Sequence, residues 1–414
     1  MTAPPARKPL ISLDMALAQL LGTVADHSPF CEAVSTFEAD GRVLAQDVVS
    51  ALQVPPQDNS SMDGYALRVA DCAHGAVLPV SQRIAAGASG TALQRGTVAR
   101  IFTGAPIPLG ADAVVMQEDC TESGANGHPA IVVNATPQVG QWIRRQGEDV
   151  AAGHVVLRAG QRLGPAALGM AASVGMAHLQ VARRPRVALF STGDELVMPG
   201  ECEPADMPPG AIYNSNRFFL ASLLRRMGCA VTDLGIVPDR LDATVEALRR
   251  AAQAHDVILT SGGVSVGEED HIKPAVQTLG TLDLWQIAIK PGKPFAHGRV
   301  GTAHFIGLPG NPVSSFVTFL LLVRPFLLRM QGATETAMTA QALRADFAWP
   351  RADRRQEFLR VRRNAVGGLD LFPNQSSGVL SSAVWGDGFV DNPAGQTIAT
   401  GDLVRFVAWN DLLA

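Results

Sequence analysis

The chain has 414 residues, 47% of them hydrophobic and 17% charged, a core-forming balance that at roughly 150 residues per domain calls for about two to four domains. A formal net charge of -4 leaves no global basic field, which argues against nucleic acid as a partner. Five scattered cysteines without a C-x-x-C pair argue against a thiolate zinc site or redox dithiol and fit a reducing, cytoplasmic compartment.

The start, MTAPPARKPLISL, has no apolar stretch of signal-peptide length. Residues 1–53 read together with 146–180 as a mixed, partly helical domain. Between them, 54–145 is a run of short strands broken by Gly/Pro turns, as in GAPIPLGADAVVMQED, and reads as a β-rich insertion. From 181 to 332 short β-branched runs alternate with amphipathic helices, the pattern of a doubly wound, mostly parallel α/β sheet domain.

Within that stretch RVALF reads as a strand, and NSNRFFLASLLRRM as a helix with a Phe219, Leu223, Met227 stripe. AVTDLGIV is the next strand, LDATVEALRRAAQAH a helix, DVILT a strand and IKPAVQTLG a short helix. LDLWQIAI and the segment around HFIGL complete the strands. PVSSFVTFLLLV is the last helix, opened by Pro312 and cut by Arg324-Pro325 short of a membrane span. Residues 333–414 carry EFLRVRR, GLDLF, GVLSSAVW and DLVRFVAW between Gly/Asp turns and read as a small β-barrel.

The loops after the strands point to chemistry. RVALF leads into STGDE, LGIV into PDR, VILT into SGGVSVGEED, QIAI into KPGKP and FIGL into PGNP. In a parallel sheet these loops share the carboxyl rim, where open α/β sheets hold ligands. Gly262 and Gly263 let backbone N–H groups approach an oxyanion such as phosphate. Asp194, Glu195, Asp239, Glu269 and Asp270 beside that cradle make sense if a hard divalent cation bridges them to phosphate oxygens, although any one of them alone reads as readily as a solvated loop edge. Lys290 and Lys293 suit charge neutralisation, with surface decoration the plainer alternative, and Pro309-Gly310-Asn311-Pro312 forms a rigid turn into a helix start. His271 receives no role. G-x-x-x-x-G-K-[ST], G-x-S-x-G and H-E-x-x-H are absent, so a P-loop ATPase, a serine hydrolase and a zinc protease lack support.

Seven blocks in series, PPQDNSSMDGYALR, FTGAPIPLGADAVVMQED, RRQGEDV, FSTGDEL, SGGVSVGEED, IKPGKPFAHG and GLPGNPVSS, closely resemble the molybdenum insertase family, that of molybdopterin molybdenumtransferases, related to the C-terminal part of gephyrin. The resemblance implies a four-part subunit in an elongated homodimer. It implies a transferase that takes molybdate and adenylylated molybdopterin with Mg2+ to molybdenum cofactor and AMP. Partners would be molybdopterin adenylyltransferase upstream and recipient molybdoenzymes or their chaperones downstream, with no membrane and no nucleic acid.

Carried over by position, the resemblance assigns catalytic roles to Asp63, Thr103, Asp149 and Glu195. Substrate binding falls to Gly262, Gly263, Ser265, Asp239, Lys290, Lys293, Pro309, Pro312, Arg144 and, on a looser match in NQSSG, Ser377. Glu195 and Asp270 would hold the metal. In the family the site lies between the sheet domain of one subunit and the insertion of the other, so Asp63 and Glu195 would meet only across the dimer. The alternatives are a molybdopterin adenylyltransferase, which would need neither insertion nor barrel, and a scaffold protein without turnover.

Overall fold

The structure is a computed structural model describing residues 10–24, 30–124, 128–263 and 271–413. Its centre is a doubly wound sheet domain built from β1 (Arg186–Thr192), α1 (Asn216–Arg226), β2 (Ala230–Val237), α2 (Leu241–Ala254), β3 (Val257–Ser261), α3 (Ile272–Leu279), β4 (Gly280–Gln286), β5 (Pro294–Val300), β6 (Ala303–Leu308) and α4 (Pro312–Met330). The sheet has six strands in the order β2-β1-β3-β6-β5-β4. β2, β1, β3 and β6 are parallel; β5 pairs antiparallel with both β6 and β4. β5 is not evident in the sequence, because PFAHGRV opens on proline and contains a glycine. It forms because the Gly301-Thr302 turn folds it into a hairpin with β6. β4 therefore runs with the parallel strands, so its carboxyl end also reaches the rim.

Nearly every residue of β1, β3 and β6 is buried, the continuous apolar signature of strands covered on both faces. α1 buries Asn216, Leu220, Leu223 and Leu224; Phe219 is only half-buried and meets Phe316 edge-on at 5.8 Å. α4 departs from the sequence expectation. It runs straight through Arg324-Pro325 as one helical stretch of 19 residues whose middle, Phe319–Val323, is a π-turn. The wider turn spares the Pro325 ring its clash with the preceding carbonyls. Arg324 satisfies its guanidinium on the Leu412 and Thr336 carbonyls, at 2.8 and 3.0 Å. By length and composition α4 could cross a membrane, but 83% of it is buried inside the protein, and it is a core helix.

The first helix, Leu13–Gly22, lies on the sheet domain rather than on the mixed region. Leu13, Ala16 and Leu20 join Leu320, Phe326 and Leu327 in one core, and the Ile11 N–H donates to the Gln286 carbonyl at 2.9 Å. The mixed region itself pairs Cys31–Ser35 with His178–Ala182 and packs the helix Pro165–Ser173 over Leu157, Leu163 and Leu179. The insertion folds as a curled sheet of six short strands between Gly64 and Val133.

The C-terminal region closes a five-strand barrel. Gln356–Arg363 pairs with both Gly368–Leu371 and Gly388–Asn392, and Gln341–Ala345 with Leu403–Ala408 completes the ring. Barrel and sheet domain share apolar packing. Phe358, Phe389, Val407, Trp409 and Leu412 belong to the same buried cluster as α4, with Trp409 edge-on to Phe316 at 5.3 Å.

Candidate functional site

Strand register aligns the rim. Thr192 pairs with Val237, Ser191 with Ser261, and Ser261 with Leu308, so β1, β2, β3 and β6 stop along one line. The loops beyond them enclose a cleft of about 830 Å³. Gly193 and Glu195 line it after β1, Asp239 after β2, Gly262 and Gly263 after β3, Pro294 after β4, and Pro309 and Pro312 after β6. All five expected loops meet there.

The glycines at the floor cannot be replaced without movement. Gly262 and Gly263 have φ of +98° and +68°, and a Cβ on Gly263 would stand 2.5 Å from Ile272 Cγ1. Two strand-end loops are tied by a residue that sequence reasoning missed. The buried Asn216 carboxamide donates to Ser261 Oγ and to the Gly310 carbonyl, both at 2.7 Å. Both asparagines fall at the start of the stretch that reads as a helix, so nothing in YNSN marks them as part of the rim. Asn214 does serve the first turn of α1, its Oδ1 accepting from the Arg217 N–H at 3.3 Å, whereas Asn216, the first residue of the helix, turns its carboxamide to the rim.

The barrel supplies another wall. The Ser377 carbonyl accepts from the Val313 N–H at 2.9 Å, and Gly378 lines the cleft. Arg360, also missed, holds this loop from beneath. It is 1% exposed and donates to the Ser376 and Phe358 carbonyls and to Ser382 Oγ, and burial presses its pKa down to about 10.

Lys290 and Lys293 behave differently from each other. Lys290 begins the connection to the barrel: its ammonium reaches Glu357 at 2.9 Å and Asp353 at 3.5 Å, and Glu357, 1% exposed, also accepts from Trp349 Nε1 at 2.7 Å. The Arg355 side chain holds Asp353 well below the usual carboxylate range. Lys293 is half-buried in the loop before Pro294, and its carbonyl accepts from the Ile287 N–H at 2.8 Å.

Asp63, Thr103 and Arg144 lie in the insertion and Asp149 just beyond it, and none of them lines the cleft. Asp63 is exposed and accepts from the Thr103 backbone N–H at 2.8 Å and hydroxyl at 2.7 Å, which together hold its carboxyl below the usual range. Arg144 pairs with Asn59 in a two-residue ladder, the Asp149 N–H donates to the Val54 carbonyl, and Ser60 is bonded through its backbone to Ala105 and Gly104. The MDGYA, FTGAP and RRQGEDV blocks are thus sewn into one surface. Ser265 and Asp270 lie outside the described residues. Among the described residues no group of three or more His, Cys, Asp or Glu could hold a metal.

Family models match the chain in three consecutive pieces: the MoeA N-terminal region, domains I and II, over 11–175; a probable molybdopterin binding domain over 188–329; and the MoeA C-terminal region, domain IV, over 342–409. The molybdopterin molybdenumtransferase of Haemophilus influenzae is 43% identical over 78% of each chain. That of Synechococcus elongatus is 35% identical over 94% of this chain and 96% of its own. The crystal structure of the molybdopterin biosynthesis moeA protein from Pyrococcus horikoshii OT3 superposes with a TM-score of 0.82 at 28% identity, covering 97% of this chain and all of that one.

Proposed function

Because the chain belongs to the molybdopterin molybdenumtransferase family, we propose that it inserts molybdenum from molybdate into adenylylated molybdopterin, releasing AMP. The observation that supports this reading is the convergence of five post-strand loops on one cleft, with a glycine floor suited to phosphate oxygens and the carboxylates of Glu195 and Asp239 on its walls.

Magnesium fits that donor set. Mg2+ is commonly held by one or two carboxylates together with substrate phosphates, and Glu195 and Asp239 line the cleft that would take a diphosphate. When bound, the ion supplies charge stabilisation at the phosphoanhydride. The chain's own residues bind and orient. The Gly262-Gly263 backbone accepts the diphosphate closely, Asn216 keeps the β3 and β6 loops at fixed spacing, and the Ser377-Gly378 loop walls the far side. Lys293, beside the cleft, is the closer candidate for molybdate's negative charge. Lys290 would have to leave Glu357 to serve it.

The functional unit in this proposal is a homodimer in which the Asp63-Thr103 surface of one subunit faces the cleft of its partner, working in the cytoplasm between an adenylyltransferase and recipient molybdoenzymes or their chaperones. Five unpaired cysteines suit that compartment. One assay tests the reaction: supply adenylylated molybdopterin, Mg2+ and molybdate, then follow AMP and reconstitution of a cofactor-free molybdoenzyme. AMP release with reconstitution supports the reading; no AMP, or consumption of ATP with free molybdopterin instead, refutes it.

A further inference from the structure

Two buried polar groups in the wall of the cleft make no hydrogen bond among the described residues. Asn214 is 2% exposed, and its Nδ2 has no partner; Ser191 is 1% exposed, and its Oγ has none. Both residues line the cleft, Ser191 from the end of β1 and Asn214 from the approach to α1. The orientation of the Asn214 carboxamide is fixed. Its Oδ1 accepts from the Arg217 backbone N–H at 3.3 Å, and a flipped amide would set two donors against each other. Its backbone is pinned as well, with the N–H on the Val197 carbonyl at 2.9 Å.

Folding gains nothing from burying a donor that finds no acceptor, and such groups are rare unless a ligand completes them. The neighbouring Asn216, in the same segment, spends both of its amide hydrogens inside the protein. Asn216 is a frame residue, and Asn214 is spare. A donor left over beside a glycine cradle is matched to an acceptor atom, and the acceptor-rich groups of the substrate proposed above are its phosphate oxygens.

Resting on that reading, we propose that Asn214 and Ser191 are substrate-binding residues that donate hydrogen bonds to phosphate oxygens of the nucleotide part of the substrate, and so also hold the AMP product. This makes the wall beside the Gly262-Gly263 turn, where Ser191 pairs with Ser261, a second, side-chain-built part of the phosphate site.

The test compares full-length wild type with Ser191→Ala and Asn214→Asp. Thermal melting without ligand is measured first, then calorimetric titration with AMP, inorganic phosphate and adenosine. Ser191→Ala removes a group with no protein partner, so its unliganded melting temperature should be unchanged or slightly raised, while its AMP affinity falls roughly two- to tenfold. Asn214→Asp keeps the acceptor for Arg217 but sets a carboxylate against the phosphate, and should lose AMP affinity roughly 10- to 100-fold. Adenosine binding should be equal in all three proteins.

If wild type binds AMP and both variants bind it equally well, the inference is overturned while the proposed function stands. If the adenosine affinity falls in step with that of AMP, the donors serve the nucleoside and the phosphate assignment is wrong. If wild type itself binds neither AMP nor phosphate, the functional reading fails and takes this inference with it. Should Asn214→Asp not fold, Ser191→Ala alone still decides.

Discussion

Lowering the pH from 7 to 5 should weaken the sheet domain by an amount that two buried histidines dictate. His297 on β5 and His304 on β6 are 5% and 6% exposed, and their rings meet through Nε2 and Nδ1 at 3.3 Å. Phe326 stands edge-on to His304 with ring centroids 4.9 Å apart. Burial pushes their pKa values down, helped by the Arg299 guanidinium, to about 4 and about 3. Both are neutral when folded, whereas in the unfolded chain each takes a proton near pH 6.5. Depressed histidines of this kind contribute nothing adverse above that value and cost stability as the pH falls below it. At pH 5 the linkage amounts to about 2 kcal/mol per histidine, against about 0.2 at pH 7, so the pair together costs about 4 kcal/mol over that span.

Hydrogen exchange of peptides covering β5 and β6, corrected for intrinsic rates, reads the opening free energy at the two pH values. The double variant His297→Leu, His304→Leu removes both titrating groups and keeps the volume. Its loss between pH 7 and 5 should be smaller than that of wild type by about 4 kcal/mol. Equal losses in the two proteins, within about 1 kcal/mol, would show that the pair is already protonated or already exposed, and the argument would fail.

Glu195→Gln keeps the shape of the cleft wall but removes a charge, and should slow AMP release by about 100- to 10,000-fold with little change in melting temperature. Gly263→Ala forces a side chain onto a backbone at φ +68° and against Ile272, and should raise the Michaelis constant and lower stability by about 1–3 kcal/mol, read by steady-state kinetics and urea denaturation. Lys290→Met leaves Glu357 buried without its cation; with Lys290 itself partly exposed, the expected loss is about 1–3 kcal/mol, measured by thermal melting. Mixing Asp63→Ala with Glu195→Gln protein, each nearly inactive alone, should restore about a quarter of wild-type activity if the site is shared across a homodimer; no recovery after subunit exchange would place the site within one chain.

The sheet domain was legible because its strands are covered on both faces and so read as unbroken apolar runs, each followed by a polar, glycine-rich loop. Rim residues such as Glu195, Asp239 and the Gly262-Gly263 pair followed from that pattern alone. Asp63 and Thr103 did not. Their relation is a hydrogen bond between segments 40 positions apart in the chain, and nothing local marks it. The same holds for Asn214, Asn216 and Arg360, whose roles depend on which atoms the tertiary structure leaves paired. β5 was hidden by its proline and glycine, and the docking of Leu13–Gly22 onto α4 is set by long-range burial that no local pattern encodes.

Trp409 and Phe389 in the barrel share one apolar interior with Phe316 and α4, and the Leu412 carbonyl receives the buried Arg324 guanidinium. A chain trimmed after α4 would therefore lay bare part of its own hydrophobic interior along with the missing Gly378 edge of the cleft. Barrel and sheet domain thus share one hydrophobic interior and meet as a continuous body, not as two modules with a polar seam between them.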